Sequence, residues 1–283
     1  MPLNLFARHA AKPFERLFYG PDKYQFGDLR LPAPGAASAA APTHGVAAAG
    51  PYPVVIVIHG GYWRAAYGLG YFDEPCAALT ALGVATWNIE YRRLGNRGGG
   101  WPNTLLDVAL AADHLRTLAA TYPLDLTRVV ALGHSAGGHL ACWLAARPRI
   151  SANAPLHTPD PLPLRAAVAL AGVVDLRRAW ELRLSGAVTQ TLLGGAPDAY
   201  PARYDAASPY ELLPLGVPQV LFHGTADASV PFEISERYVA RACERGDDVR
   251  LVTLLGAGHF EPVEARTPEW ASVQRTVVEL ARG

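Results

Sequence analysis

Arg128-Val129-Val130-Ala131-Leu132-Gly133-His134-Ser135-Ala136-Gly137 is the stretch whose reading decides the fold. An apolar run leads into Gly-x-Ser-x-Gly, and a helix-like segment, His139 to Ala146, follows. Between a strand and a helix, this pentapeptide reads as a nucleophile elbow. The turn is so tight that the residues two before and two after the serine must lack bulk, and glycine stands at both places. It lifts the Ser135 hydroxyl to the top of a sheet and points the following backbone N–H groups at the same spot. The competing reading is a chance pentapeptide in a chain with 27 glycines. It leaves the flanking strand and helix unexplained.

Working outward, the order expected for such an elbow is serine, then acid, then histidine. Val217 to Gly224 reads as a buried strand ending in a loop with Asp227. The next apolar run, Val249 to Leu255, is followed by Gly256-Ala257-Gly258-His259-Phe260. Asp227 and His259 therefore fall past the carboxyl ends of strands, the edge where open α/β sheets build their sites. His259 would take the serine proton, and Asp227 would hold the imidazole in the right tautomer. Asp175, after the strand-like run Ala166 to Val174, remains an alternative acid. Of the other histidines, 44 and 157 lie in proline-bearing loops, His134 and His139 flank the serine as packing or capping residues, and His223 ends a strand as a satisfied loop histidine.

Upstream, the β-branched run Val54 to Ile58 passes straight into His59-Gly60-Gly61-Tyr62-Trp63. Acyl transfer passes through a tetrahedral oxyanion, and donors preorganised for that charge are a major catalytic term. The amides of Gly61 and Tyr62, with that of Ala136, are the candidate oxyanion hole.

The residues His59 to Trp63, Asn88-Ile89-Glu90-Tyr91-Arg92-Arg93, Gly133 to Gly137, Asp227 and His259 together resemble the α/β-hydrolase superfamily. The resemblance is to the branch of hormone-sensitive-lipase-like esterases and arylformamidases, and it spans roughly residues 20 to 283. Tyr62-Trp63, where the lipase-like esterases carry a further glycine, looks more like the arylformamidases and like bacterial polysaccharide-deacylating and feruloyl esterases. The resemblance implies a mostly parallel twisted sheet with helices on both faces and a small cap insertion. It also implies cofactor-free serine hydrolysis without a metal.

Half of the 283 residues are apolar, enough for one sizeable α/β domain spanning 1–283. Lys and Arg balance Asp and Glu at 25 each, so no charge excess recommends nucleic acid or an anionic membrane. Cys76, Cys142 and Cys243 have neither disulfide-framework nor metal-ligand spacing. Met1 to Lys12 lacks the apolar core of a signal peptide, and no apolar run reaches about 18 residues. A cytoplasmic enzyme acting on a small-molecule ester or amide is the expectation, with a homodimer left open.

Tyr24 to Leu31 reads as the first strand of the sheet. The Ala/Pro-rich tract 32–53 reads as a long flexible connection that buries no core. Val84 to Ile89 (strand) and Asn103 to Thr121 (amphipathic helix) continue the βα alternation of a doubly wound sheet. Arg147 to Leu164 is loop-like. Residues 176–215 fall between two strands, with room for two or three short helices, and read as the cap; a surface excursion packed on the sheet is the alternative. Trp63, Trp101, Trp180 and Phe260, with Tyr62, are available for the substrate pocket, though aromatic residues serve a core equally well.

Four functions follow from these residues. The first is a carboxylesterase cleaving short-acyl esters through an acyl-enzyme on Ser135, Asp227 and His259. The second is an arylformamidase acting on N-formylkynurenine. The third is a prolyl-oligopeptidase-like peptidase, which the chain length disfavours. The fourth is a catalytically silent binding protein, disfavoured because all three triad candidates are present.

Overall fold

The computed structural model describes residues 14–33 and 51–283. Most of the tract 32–53, together with His44 and the Met1 to Lys12 segment, lies outside the described residues.

Eight strands form one sheet: β1 (Glu15–Phe18), β2 (Phe26–Arg30), β3 (Tyr52–Ile58), β4 (Ala85–Ile89), β5 (Leu124–His134), β6 (Ala166–Leu170), β7 (Gln219–Gly224) and β8 (Val249–Leu254). The spatial order is β1-β2-β4-β3-β5-β6-β7-β8. The pairings of β2 with β1 and with β4 are antiparallel, and every later pairing is parallel. The expected first strand is therefore the second. β1 is a short edge segment, Glu-Arg-Leu-Phe, with too little apolar pattern to announce itself, and Arg16 clamps it to β2 through two hydrogen bonds to Asp28 (2.8 and 2.9 Å).

The central strands are continuously apolar because both faces are covered. Along β3, Val54, Ile56 and Ile58 enter the core of one face while Val55 and Val57 enter the other. The second face is packed by α1 (Asp73–Ala81) and α10 (Pro268–Arg282), through Cys76, Leu79, Trp270, Val273 and Val277. The first face receives α2 (Asn103–Asp113), the short α3 (Leu115–Leu118), α4 (Ala136–Ala146) and α9 (Glu233–Glu244). The helix read over Asn103 to Thr121 is thus two pieces, divided where the chain tightens at His114 (φ −62°, ψ −20°).

Between β6 and β7 lie four short helices, one or two more than the sequence suggested: α5 (Leu176–Glu181), α6 (Leu184–Leu193), α7 (Pro201–Ala207) and α8 (Pro209–Leu212). Ser185, Gly186 and Ala187, at the start of α6, are left-handed. The segment is held to α4 by two side-chain donors. Trp143 Nε1 donates to Ala206 O (3.0 Å), and His139 Nε2 to Ala207 O (2.8 Å). Among the described residues no helix is long and apolar enough to cross a membrane.

Candidate active site

β5 ends at His134, and Ser135 opens α4 with φ 57° and ψ −120°, a conformation a side chain adopts only under strain. The surroundings enforce it. A Cβ at Gly133 would stand 2.0 Å from Gly137 O, and one at Gly137 would stand 2.0 Å from Ile58 O. Both glycines of the elbow are therefore steric necessities. The Ser135 amide donates to Leu170 O (2.7 Å) and its carbonyl accepts from Val173 (3.2 Å), which fastens the turn to the end of β6.

Asp227 follows β7 and His259 follows β8, and the structure brings the two together. His259 Nδ1 lies 2.6 Å from Asp227 Oδ2. The other carboxylate oxygen accepts from the amides of Ser229 (2.7 Å) and Val230 (2.9 Å). His223 Nε2 stands 3.4 Å from Oδ2 while bonding Val230 O (2.9 Å), and its Nδ1 pairs with Ser235 Oγ (2.7 Å). Burial alone would raise the Asp227 pKa. The hydrogen bonds from His223 and His259, the His259 charge and the Val230 amide outweigh it and hold the carboxyl well below its ordinary range. Asp175, the alternative acid, is committed elsewhere: its Oδ1 caps α5 by accepting from the Arg178 amide (2.9 Å), and its Oδ2 faces Arg237 (3.4 Å).

The turn after β3 presses against the elbow, since a Cβ at Gly60 would come 2.6 Å from His134 O and 2.9 Å from Ser135 Cβ. Gly61, Tyr62 and Trp63 all have positive φ (103°, 51° and 55°). The Gly60 amide is spent on Tyr71 Oη (2.5 Å), whereas the Gly61 and Tyr62 amides donate to no acceptor among the described residues. The Asn88-to-Arg93 segment buttresses this turn. His59 Nε2 pairs with Glu90 Oε1 (2.8 Å), its ring stacks on Tyr91 (centroids 4.5 Å), and Tyr91 Oη donates to His59 O (2.8 Å). Glu90 also meets Arg93 (3.2 Å), which donates to Tyr67 O. Burial would raise the Glu90 carboxyl, but His59, Arg93 and the Tyr91 amide bring it below its usual value.

A strained serine after β5, a His–Asp pair on the loops after β7 and β8 and two unspent amides after β3 all stand at the carboxyl edge of the sheet. The family model described as BD-FAE matches residues 45–241, well over half of the chain. The chain belongs to the BD-FAE family. No curated protein matches it. Among solved structures, this BD-FAE chain is similar to a truncated form of a carbohydrate esterase from gut microbiota, at 21% identity over 98% of this chain and 99% of that one, with a TM-score of 0.75. It is also similar to the thermophilic esterase Est2 of Thermogutta terrifontis with butyrate bound, at 25% identity over 95% and 92% of the two chains, with a TM-score of 0.71. The esterase 2 of that species phosphoramylated by tabun superposes with a TM-score of 0.72 at 23% identity, over 97% and 94%. The fold is that of the α/β-hydrolases.

The expected pocket residues of this BD-FAE chain are dispersed. Trp63 has no exposed surface, so it does not wall a solvent-reached pocket; its Nε1 donates to His139 Nδ1 (3.3 Å), and it packs beneath the turn. Trp101 packs on the core, and its amide donates to Leu192 O (2.8 Å). Trp180 Nε1 donates to Gln190 Oε1 (3.1 Å). Phe260 does lie beside the constellation, half exposed, with its ring centroid 5.1 Å from that of His259. Tyr62 reaches across to donate to Ser229 O. Beyond the turn, an open cavity of about 380 Å³ is lined by Arg64, Ala65, Ala66, Leu94, Val188 and Thr191. The sequence marks His134 only as a packing or capping residue and Glu90 only as part of a motif, and it does not mark Tyr71 at all. For His134 the available signal was its place inside the elbow.

Proposed function

We propose that this chain is a serine esterase cleaving small carboxylic esters of short acyl groups through an acyl-enzyme. Ser135 Oγ attacks the ester carbonyl carbon while His259 Nε2 takes its proton. Asp227, ionised and bonded to Nδ1, keeps the imidazole in the tautomer that leaves Nε2 free. The Gly61, Tyr62 and Ala136 amides bind the oxyanion of the tetrahedral intermediate. His259 then gives its proton to the departing alkoxide. Water, deprotonated by the same imidazole, hydrolyses the acyl-serine and restores the enzyme.

The observation that carries this reading is the 2.6 Å contact of His259 Nδ1 with a fully buried Asp227 carboxylate, beside a His259 carbonyl bonded to His134, the residue before the strained serine. The short-acyl preference rests on Tyr62, whose ring spans from the turn to the loop of the acid. The butyrate and propionate complexes of the Thermogutta esterase lend it support, and the gut carbohydrate esterase makes acylated sugars a substrate class worth including.

The test is a panel of p-nitrophenyl esters from acetyl to decanoyl, acetylated sugars and N-formylkynurenine, with wild type and Ser135→Ala. Wild type should favour acetyl to butyryl esters and take up a fluorophosphonate, and Ser135→Ala should lose about four decades of rate and all labelling. Undiminished hydrolysis by folded Ser135→Ala overturns the proposal. An optimum at ten or more carbons overturns the short-acyl part, and formamide turnover above every ester replaces the substrate class.

A further inference from the structure

His134, the second residue of the elbow, has only 1% of its surface exposed, and both of its ring nitrogens are engaged. Its Nε2 lies 2.9 Å from His259 O, a main-chain carbonyl that can only accept. Its Nδ1 lies 3.1 Å from Tyr71 Oη, and that same oxygen accepts from the Gly60 amide at 2.5 Å. These contacts run in one direction. Gly60 N–H donates to the Tyr71 oxygen, the Tyr71 hydroxyl donates to His134 Nδ1, and His134 Nε2–H donates to His259 O. The opposite tautomer would set the Nε2 lone pair against a carbonyl oxygen and leave the phenol hydrogen without an acceptor.

We propose that His134 and Tyr71 form a positioning relay that fixes the His259 backbone and the oxyanion turn to the nucleophile elbow, setting the alignment of base, nucleophile and oxyanion donors. The proposal rests on the esterase reading. The three loops leave different strands, β3, β5 and β8. His134 is where they meet: its ring stands 4.5 Å from that of His259 and 5.8 Å from that of Tyr71. The relay also occupies the Gly60 amide and leaves the two following amides to the oxyanion. Burial, followed by the nearby His259, pushes the His134 pKa down to about 3, so the ring stays neutral and the relay keeps its direction at working pH. Neither relay residue reaches the reacting atoms; both act through backbone that does.

The experiment compares Tyr71→Phe, His134→Leu and His134→Gln with wild type. It measures kcat and KM on p-nitrophenyl butyrate, the phosphonylation rate of Ser135 and the melting temperature. A glutamine side chain can both donate to His259 O and accept from Tyr71. Tyr71→Phe and His134→Leu should lose about 10- to 100-fold in kcat and in phosphonylation rate, with KM within about twofold, as small misplacements of reacting groups do. His134→Gln should recover most of that loss. Nitrogen-15 NMR of wild type should find His134 neutral with its proton on Nε2 between pH 5 and 8. A folded Tyr71→Phe with unchanged kcat, equal losses in His134→Leu and His134→Gln, or a proton on Nδ1 overturns the relay. Failure of the esterase reading looks different: wild type would neither hydrolyse esters nor be phosphonylated, and the NMR arm would still decide the tautomer.

Discussion

Tyr62 and Ser229 stand 167 residues apart in the chain, yet the phenol of the first donates to the main-chain carbonyl of the second. The Ser229 amide in turn donates to Asp227 Oδ1 at 2.7 Å. The residue whose amide is a candidate oxyanion donor thus reaches the acid through a single intervening residue. Burial, with a contribution from the Asp227 charge, pushes the phenol up to about 12, so it remains a donor throughout the working range.

Removing only that hydroxyl separates tethering from bulk. Tyr62→Phe should lower kcat/KM by about fivefold while keeping the acyl-length optimum, since a lost hydrogen bond is worth roughly 1 kcal/mol. Tyr62→Ala should move the optimum toward longer chains, by about 0.8 kcal/mol for each methylene that gains a buried place. Rate profiles over p-nitrophenyl esters from acetyl to decanoyl distinguish the two, and an unmoved optimum in Tyr62→Ala would remove Tyr62 from the pocket.

Trp63→Ala should behave differently from its neighbour. With no exposed surface and an Nε1–H bonded to His139, Trp63 fills core, and its truncation should cost about 3–5 kcal/mol of stability. Urea unfolding would register that loss; a stable variant with a widened acyl range would return Trp63 to the pocket wall.

The two candidate acids make opposite forecasts. Asp227→Asn should drop kcat by about 10⁴-fold, because the amide no longer enforces the tautomer that frees His259 Nε2. Asp175→Asn should leave kcat nearly intact, since asparagine still caps α5. Asp175→Ala should cost about 1 kcal/mol of stability through the lost cap. Steady-state kinetics beside thermal melts on all three variants decide the assignment.

Acid should weaken the fold before its carboxylates titrate. Burial pushes His134 from 6.5 down to about 3 and His139 from 6.5 down to about 4. Below pH 6.5 the unfolded chain binds protons that the native rings refuse, so stability falls as pH falls across those windows. The slope is about 1.4 kcal/mol per pH unit for each histidine. Urea midpoints at pH 7, 6, 5 and 4.5 should decline for wild type and less steeply for His139→Gln. A flat wild-type profile would contradict the buried neutral state of both rings.

How much of this was legible in the sequence follows from what each residue does. Ser135, Asp227 and His259 stood out because each falls just past a strand whose apolar run is self-announcing, and the elbow glycines are imposed by backbone contacts a few residues away. Trp63 was misplaced for the converse reason. Whether an aromatic side chain after a glycine turn faces solvent or core depends on positive φ values and on His139, 76 residues later. Tyr71 meets the Gly60 amide and the His134 ring, and Glu90 meets the His59 ring, contacts between separate turns that leave no periodicity or spacing to read. β1 escaped notice because four half-charged residues on a sheet edge carry too little pattern.

The attachment of the four-helix segment to α4 has a further consequence. Trp143 and His139 hold it by the carbonyls of Ala206 and Ala207, and a main-chain carbonyl is present whatever the residue type at either position. The exposed positions of α5 to α7 can therefore vary without disturbing the docking point, whereas Leu176, Ala179, Val188, Leu192, Leu193 and Tyr204 are held in the core. A library confined to those exposed positions leaves the elbow and its two glycines untouched, which makes this segment a practical place to vary the surface of the chain.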